Sequence, residues 1–358
     1  MAFVTPIIYL STIIAFFFGQ LLRIDLKGIS FPLIDIFIAA IFCLNIFQKI
    51  KTKEFKIKNK YLLYFLIFAW LNFVFNFFRY HFDVIKPILY LFRLTFLLSF
   101  FIFPPKIDKK IKKIFYLIIF SNVIFGLIQY FFWPDFTNFK YLNWDPHLYR
   151  LVSTFFDPTF TALIYLFLII IVFLNKKIPF RKTILVISYL SMALTYSRSS
   201  YISFFIAFIF IAYQKKSFKI FIFSSILIFS TIFLLPRFEG EGTKLERISS
   251  ISAKVENYKE GFDLFLKSPI IGHGYNNLLY VRQVNNPNSH ANSGFDGSLM
   301  TILTSLGIIG LVLFTLGLKN IFNQGSLITK TILVSVFVHS LFANSLLYPW
   351  ILLFFIFI

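Results

Sequence analysis

The sequence predicts an all-α, polytopic membrane helix bundle of about twelve transmembrane helices carrying one long polar loop. Three observations lead there. The chain of 358 residues is 58% hydrophobic, holds 54 phenylalanines and has a mean hydropathy of +0.79, more apolar surface than a soluble core of ordinary proportions can hide. Apolar runs long enough to cross, or nearly cross, about 30 Å of hydrocarbon recur along the chain between short basic connections. Nine of the fourteen glycines fall between Gly240 and Gly310, so loop chemistry is concentrated where the apolar runs break.

The expected spans lie at 3–22, 31–48, 61–78, 88–103, 114–133, 158–174, 183–197, 199–213, 218–235, 298–318, 330–345 and 346–358. They divide the chain into helices one to nine (1–235), an outer loop (236–297) and helices ten to twelve (298–358) of a single membrane domain. The net charge of +20 would suggest nucleic acid in a soluble protein, but these lysines cluster between apolar runs, as in cytoplasmic membrane loops; no nucleic-acid partner is expected. With the connections 49–60, 104–113, 175–182, 214–219 and 319–330 inside, the basic residues alternate consistently, both termini are cytoplasmic, and Arg150, Arg198 and the 236–297 loop face outward. Cys43 is the sole cysteine, so no disulfide or cysteine metal site forms within the chain. The N-terminus lacks a basic leader and cleavage pattern and reads as a retained first span.

Within the loop, Val255, Tyr258, Phe262 and Phe265 recur at helical spacing while Lys254, Glu256, Lys259, Glu260 and Asp263 take other positions. This predicts an amphipathic helix over 253–267 lying at the membrane surface, stopped by Ser268-Pro269. Its apolar face equally suits a helix that simply covers the bundle.

Several residues carry candidate chemistry. Arg198, between two apolar runs, has the planar fork that suits diphosphate or carboxylate oxygens; alternatively it anchors a helical hairpin. Arg150 precedes the sixth span, and Asp157-Pro158 reads as a helix start, the aspartate capping and the proline at the first helical position. His273 stands between two glycines that permit a tight turn, with or without a role. His290 sits at the outer mouth of the bundle, where an imidazole can act as a general base near neutral pH. Arg93, about five residues inside the fourth span, is costly in lipid and hence a candidate by default, either serving a functional cleft or snorkelling.

The pieces TYSRSS (195–200), KVENY (254–258), KSPIIGHGYNN (267–277), SHANSGF (289–295) and LGIIG (306–310), in that order around a long outer loop, resemble the O-antigen ligase and polysaccharide polymerase superfamily of bacterial membrane proteins. The similarity in motif order covers about 145–312. The resemblance implies a C-type, all-helical glycosyltransferase of the bacterial cytoplasmic (inner) membrane, without cofactor or metal. Its expected partners are an undecaprenyl-diphosphate-linked glycan, the lipid bilayer and a chain-length regulator. Arg198 then matches the arginine that contacts the carrier diphosphate, with Arg150 and Arg93 as further cations, and His290 matches the loop histidine. The family's second loop arginine stands four residues ahead of an aromatic; that position here is Lys254, so either Lys254 supplies the charge or Arg247 reaches in from upstream. The residue eleven before Gly307, where ligase-type members commonly place the histidine, is Asp296. The run after His290 looks more like polymerase members.

Glycosyl diphosphate cleavage requires stabilising a leaving group that gains negative charge, which positioned cations in a poorly hydrated site do well. The chain has no Asp-x-Asp pair to hold a divalent ion, leaving basic side chains to neutralise the diphosphate. The expected function is an inverting polysaccharide polymerase with His290 as base. The alternative is a ligase transferring finished glycan to a lipid A core. A flippase or other transporter would also show about twelve spans, but would be expected to carry inverted repeats and needs no long outer loop.

Overall fold

The computed structural model describes residues 4–26, 29–80, 85–142, 144–238, 240–282 and 293–358. Among them are fourteen α-helices: α1 (Val4–Phe18), α2 (Ile34–Thr52), α3 (Lys60–Tyr80), α4 (Ile85–Ile102), α5 (Lys109–Phe132), α6 (Pro158–Leu174), α7 (Arg181–Ala193), α8 (Arg198–Gln214), α9 (Phe218–Leu234), α10 (Ser249–Lys267), α11 (Leu278–Val281), α12 (Ser298–Gln324), α13 (Leu327–His339) and α14 (Pro349–Phe354). Two small antiparallel ladders, β1 (Arg23–Leu26) with β2 (Ile29–Pro32) and β3 (Asp135–Phe136) with β4 (His147–Leu148), decorate this helical bundle.

The bundle is built around α6, which is apolar on every side and buried along most of its length, as expected of a helix enclosed by other helices. It packs on α5, α7, α8 and α13. Beside it α14 is fully buried, and Phe354 and Phe357 close an aromatic cluster with Phe16, Phe115 and Phe167, Phe115 stacking on Phe357 at 4.2 Å.

Each expected span coincides with a helix or part of one, but the count of about twelve crossings is not confirmed. Among the described residues four helices, α3, α4, α5 and α12, are long and apolar enough to cross a membrane by themselves. The 13 residues of α7 and of α13 rise only about 20 Å each. The last expected span is α14 plus one 3-10 turn, Phe355–Phe357, a rise of about 15 Å.

The loop helix α10 forms where expected and ends at Ser268, but its inward face differs from the apolar stripe. Lys254, Asn257, Tyr258, Gly261 and Leu264 turn inward, while Val255 and Phe262 stay 48% and 51% exposed. Polar anchoring decides the rotation: Lys254 Nζ donates to the Phe342 carbonyl and Tyr258 Oη to the Leu341 carbonyl at 2.8 Å. Gly261 lets α10 approach α12, since a Cβ there would lie 2.7 Å from Met300 Cγ.

The two glycine motifs form one interlock. At Gly307 the backbone of α12 leaves helical geometry with φ 62°, and the 269–274 turn docks there. Gly274 N–H donates to Ser305 O at 2.7 Å and Ile308 N–H to Pro269 O at 2.9 Å, so the turn satisfies the groups the break frees. A Cβ on Gly307 would lie 2.2 Å from Ile270 O, and one on Gly272 2.5 Å from the Ser305 backbone. From α3, Asn72 Nδ2 donates to Ile271 O.

Candidate active site

One face of the bundle encloses a cavity of ≈ 1560 Å³. Its walls come from the ends of α6, α8 and α12, from α4 and α10, from β1 and β2, and from the connections ahead of α6 and between α13 and α14. The five candidate cations Arg93, Arg150, Arg198, Arg247 and Lys254, drawn from five separate segments, all line it.

Arg150 arrives on a connection drawn into the bundle. Leu151, Val152, Thr154 and Phe155 have no exposed surface, and their polar backbone needs internal partners. Gln129 Oε1 accepts from the N–H groups of Val152 and Ser153 at 2.9 and 3.1 Å, Thr161 Oγ1 donates to Val152 O at 2.7 Å, and Leu151 N–H donates to Leu194 O at 3.0 Å. The Arg150 side chain, only 8% exposed, donates through Nε to Thr195 O at 2.9 Å. Burial, reinforced by the Arg247 guanidinium, pushes its pKa down to about 10, so it stays charged at neutral pH. Gly242 makes room for it: a Cβ there would lie 2.7 Å from Arg150 Cδ.

Arg198 begins α8 behind Ser197, which caps the helix by accepting from Ser200 N–H. Its guanidinium reaches across to the loop, Nη1 donating to Leu245 O and Arg247 O at 3.1 and 2.9 Å and Nη2 to Ser250 Oγ at 2.5 Å. Arg198 thus fastens the loop over the cavity as well as lining it. Arg247 Nη1 donates to Gly242 O at 2.7 Å, and burial, then Arg198, lowers its pKa. Both loop cations considered from sequence, Lys254 and Arg247, therefore reach the cavity.

Arg93 is a paired cation. It forms an ion pair with Asp35 of α2 and lies over the Tyr90 ring, 4.8 Å from its centroid. Asp157 caps α6, its Oδ1 accepting from Thr159 and Phe160 N–H at 2.6 and 3.2 Å. His273 is 2% exposed, bonds through Nε2 to Leu264 O at 2.9 Å, and is absent from the cavity wall. His290 lies outside the described residues.

Residues 183–315 match the family model described as O-antigen ligase. The match covers less than half of the chain and, over that segment, supports the O-antigen ligase and polymerase superfamily. No curated protein matches the chain. The match and the apolar helices together support a multi-pass membrane protein with a function of the O-antigen ligase or polymerase type. The match spans α7–α11 and most of α12, hence Arg198, Arg247 and Lys254, and leaves Arg93 and Arg150 outside it.

The two positions singled out by the sequence resemblance, Lys254 and Asp296, meet in space. Lys254 Nζ lies 3.1 Å from Asp296 Oδ2, and Asp296 is held at its own N–H by Asn257 Oδ1, 2.9 Å away.

Three residues escaped the sequence reading. Arg23 lines the cavity, braced by Gln20 and Ser30 at 2.7 and 2.9 Å and lying over Trp144. Arg282 closes the loop by a two-point bond to Glu260 at 2.7 and 2.6 Å. His339, fully buried at the end of α13, bonds to Ser199 and Ser200 Oγ through Nε2, each at 3.2 Å, and to Ser345 Oγ through Nδ1. Arg23 and Arg282 could have been flagged as arginines at the ends of turns. His339 was lost inside an apolar run.

Proposed function

We propose that this protein is a polysaccharide polymerase of the bacterial inner membrane. It takes a glycan from an undecaprenyl diphosphate carrier at the outer face and joins it to a sugar hydroxyl of the acceptor chain. The observation that carries this is the convergence of Arg150, Arg198, Arg247, Lys254 and Arg93 on one cavity. A diphosphate there meets fixed positive charge as the leaving group gains negative charge, the arrangement that lowers such a barrier most. Arg198, Arg150 and Arg247 form the core of that cradle, Lys254 shares its charge with Asp296, and Arg93 shares its charge with Asp35. Fixed cations supply the neutralisation that a divalent ion supplies elsewhere, so the transfer is metal-independent. Single displacement inverts the anomeric carbon. His290 keeps its expected place as a candidate base, and the basic connections at the opposite ends of the helices support cytoplasmic termini. The outer loop is the 236–297 segment, whose helix α10 roofs the cavity.

A ligase acting on a lipid A core is the second reading, favoured by the description of the matched family. Both are tested by incubating purified protein with undecaprenyl diphosphate oligosaccharide, with and without chelator. Longer glycans and released carrier in both conditions support the polymerase. Product only with a lipid A core acceptor makes it a ligase, and no glycosidic bond with either acceptor refutes both.

A further inference from the structure

We propose that Asp157 receives the proton of the acceptor hydroxyl as that oxygen attacks the anomeric carbon of the lipid-linked donor, an inference that rests on the reading above. The cavity wall offers a short choice of bases. Four carboxylates line it among the described residues: Asp145, Asp157, Asp263 and Asp296. Asp296 is committed to Lys254 at 3.1 Å. Asp145 and Asp263 are exposed, with water free to solvate and reorient them.

Asp157 differs in each respect. Two backbone N–H groups at the start of α6 hold its Oδ1 at 2.6 and 3.2 Å, and Pro158 at the first helical position stiffens the backbone beside it. No described group donates a hydrogen bond to Oδ2, and the surface the residue keeps opens on the cavity. It has no ion-pair partner within salt-bridge distance among the described residues. The charged and titratable groups that face it are Arg150, Asp145 and Tyr348. Burial raises its pKa, opposed by the two N–H donors and by Arg150, moving it toward the range where a general base works near neutral pH. Arg150 also interacts with Arg247 and Arg198, so the base and the cations that face the leaving group share one neighbourhood.

The step balances. The acceptor O–H gives its proton to Asp157 Oδ2, and the acceptor oxygen forms the new bond to the anomeric carbon. The bond from that carbon to the phosphate oxygen breaks, its electron pair leaving with undecaprenyl diphosphate, and the proton on Asp157 returns to solvent through the cavity. A cap and a base are separable here, because asparagine caps a helix as well as aspartate does yet accepts no proton.

The test uses full-length D157N and D157S in liposomes with undecaprenyl diphosphate oligosaccharide, beside the wild type and H290A. The expected result is a kcat lower by about a hundredfold or more in both Asp157 variants. The donor KM should change by less than about threefold, the melting temperature should not fall below wild type in D157N, and the acidic limb of the wild-type pH–rate profile should vanish from the residual activity. Retained kcat in D157N overturns the proposal, and if H290A then loses both product and the acidic limb, the loop histidine is the base instead. Absence of product from the wild type refutes the functional reading and takes this proposal with it.

Discussion

Lys254 Nζ lies 3.1 Å from Asp296 Oδ2 and also donates to the Phe342 carbonyl, so one ammonium joins the loop helix α10 to the start of α12 and to the chain beyond α13. The pair is about two-fifths exposed on each side, so its direct contribution to stability is small, on the order of 1 kcal/mol or less. Its consequence lies in position. K254A should lower turnover by about a hundredfold with little change in melting temperature, while K254R, which keeps the charge, should retain most of the activity. Equal turnover in K254A and wild type would remove Lys254 from the cavity's chemistry.

Arg198 makes three bonds to the loop while lining the cavity. R198A should lower turnover by about a hundredfold or more, a loss on the order of 2–4 kcal/mol in the barrier, with normal abundance in the membrane. R198K should fail as well, because an ammonium cannot span two carbonyls and a hydroxyl as the planar fork does. Steady-state turnover of both variants, normalised to protein in the membrane, decides it.

Much of this arrangement is legible in the sequence, and the remainder is hidden for identifiable reasons. Arg93, Arg150, Arg198, Arg247 and Lys254 stand out because a cation in or beside an apolar run is costly without a use. Their partners do not, because pairing is a tertiary fact: Asp35 is 58 residues from Arg93, and Ser250 52 residues from Arg198. The helix over 253–267 follows from periodicity, but its rotation is set by hydrogen bonds to Leu341 and Phe342, which no pattern within the loop contains. The crossing count is not confirmed, because burial inside the bundle, as at α14, and passage through lipid leave the same apolar run in the sequence.

His339 secures the foot of α8. Both ring nitrogens bond to hydroxyls, Nε2 to Ser199 and Ser200 and Nδ1 to Ser345. H339A would leave these buried hydroxyls short of a partner around a hole, at a cost on the order of 2–4 kcal/mol. Thermal unfolding in detergent should show a clear drop in melting temperature; an unchanged melting curve would contradict this role.

The glycine interlock is equally testable. Gly307 combines a left-handed φ of 62° with contact between backbones, so G307A should cost about 3 kcal/mol or more and lower the amount of folded protein. Comparable yield and stability would show that the turn at 269–274 yields easily.

His147 supplies a pH dependence. Burial, with Arg150 and Arg247 nearby, pushes its pKa down to about 3, below the unfolded value of about 6.5. The unfolded chain then binds the proton first, so this histidine's contribution to stability is complete above pH 6.5 or so and is lost as pH falls toward 3. H147Q should flatten that acid slope in thermal unfolding, and an identical slope in the variant would contradict the assignment.

The central claim, that the glycosyl diphosphate is held among the cations of this cavity, is tested most directly by photocrosslinking an undecaprenyl diphosphate analogue that carries its reactive group next to the diphosphate. Labelled peptides should come from the start of α8 around Arg198 and from the loop between Arg247 and Tyr258, and R198A should reduce them. Labelling confined to the opposite ends of the helices, such as residues 49–58, would contradict the account.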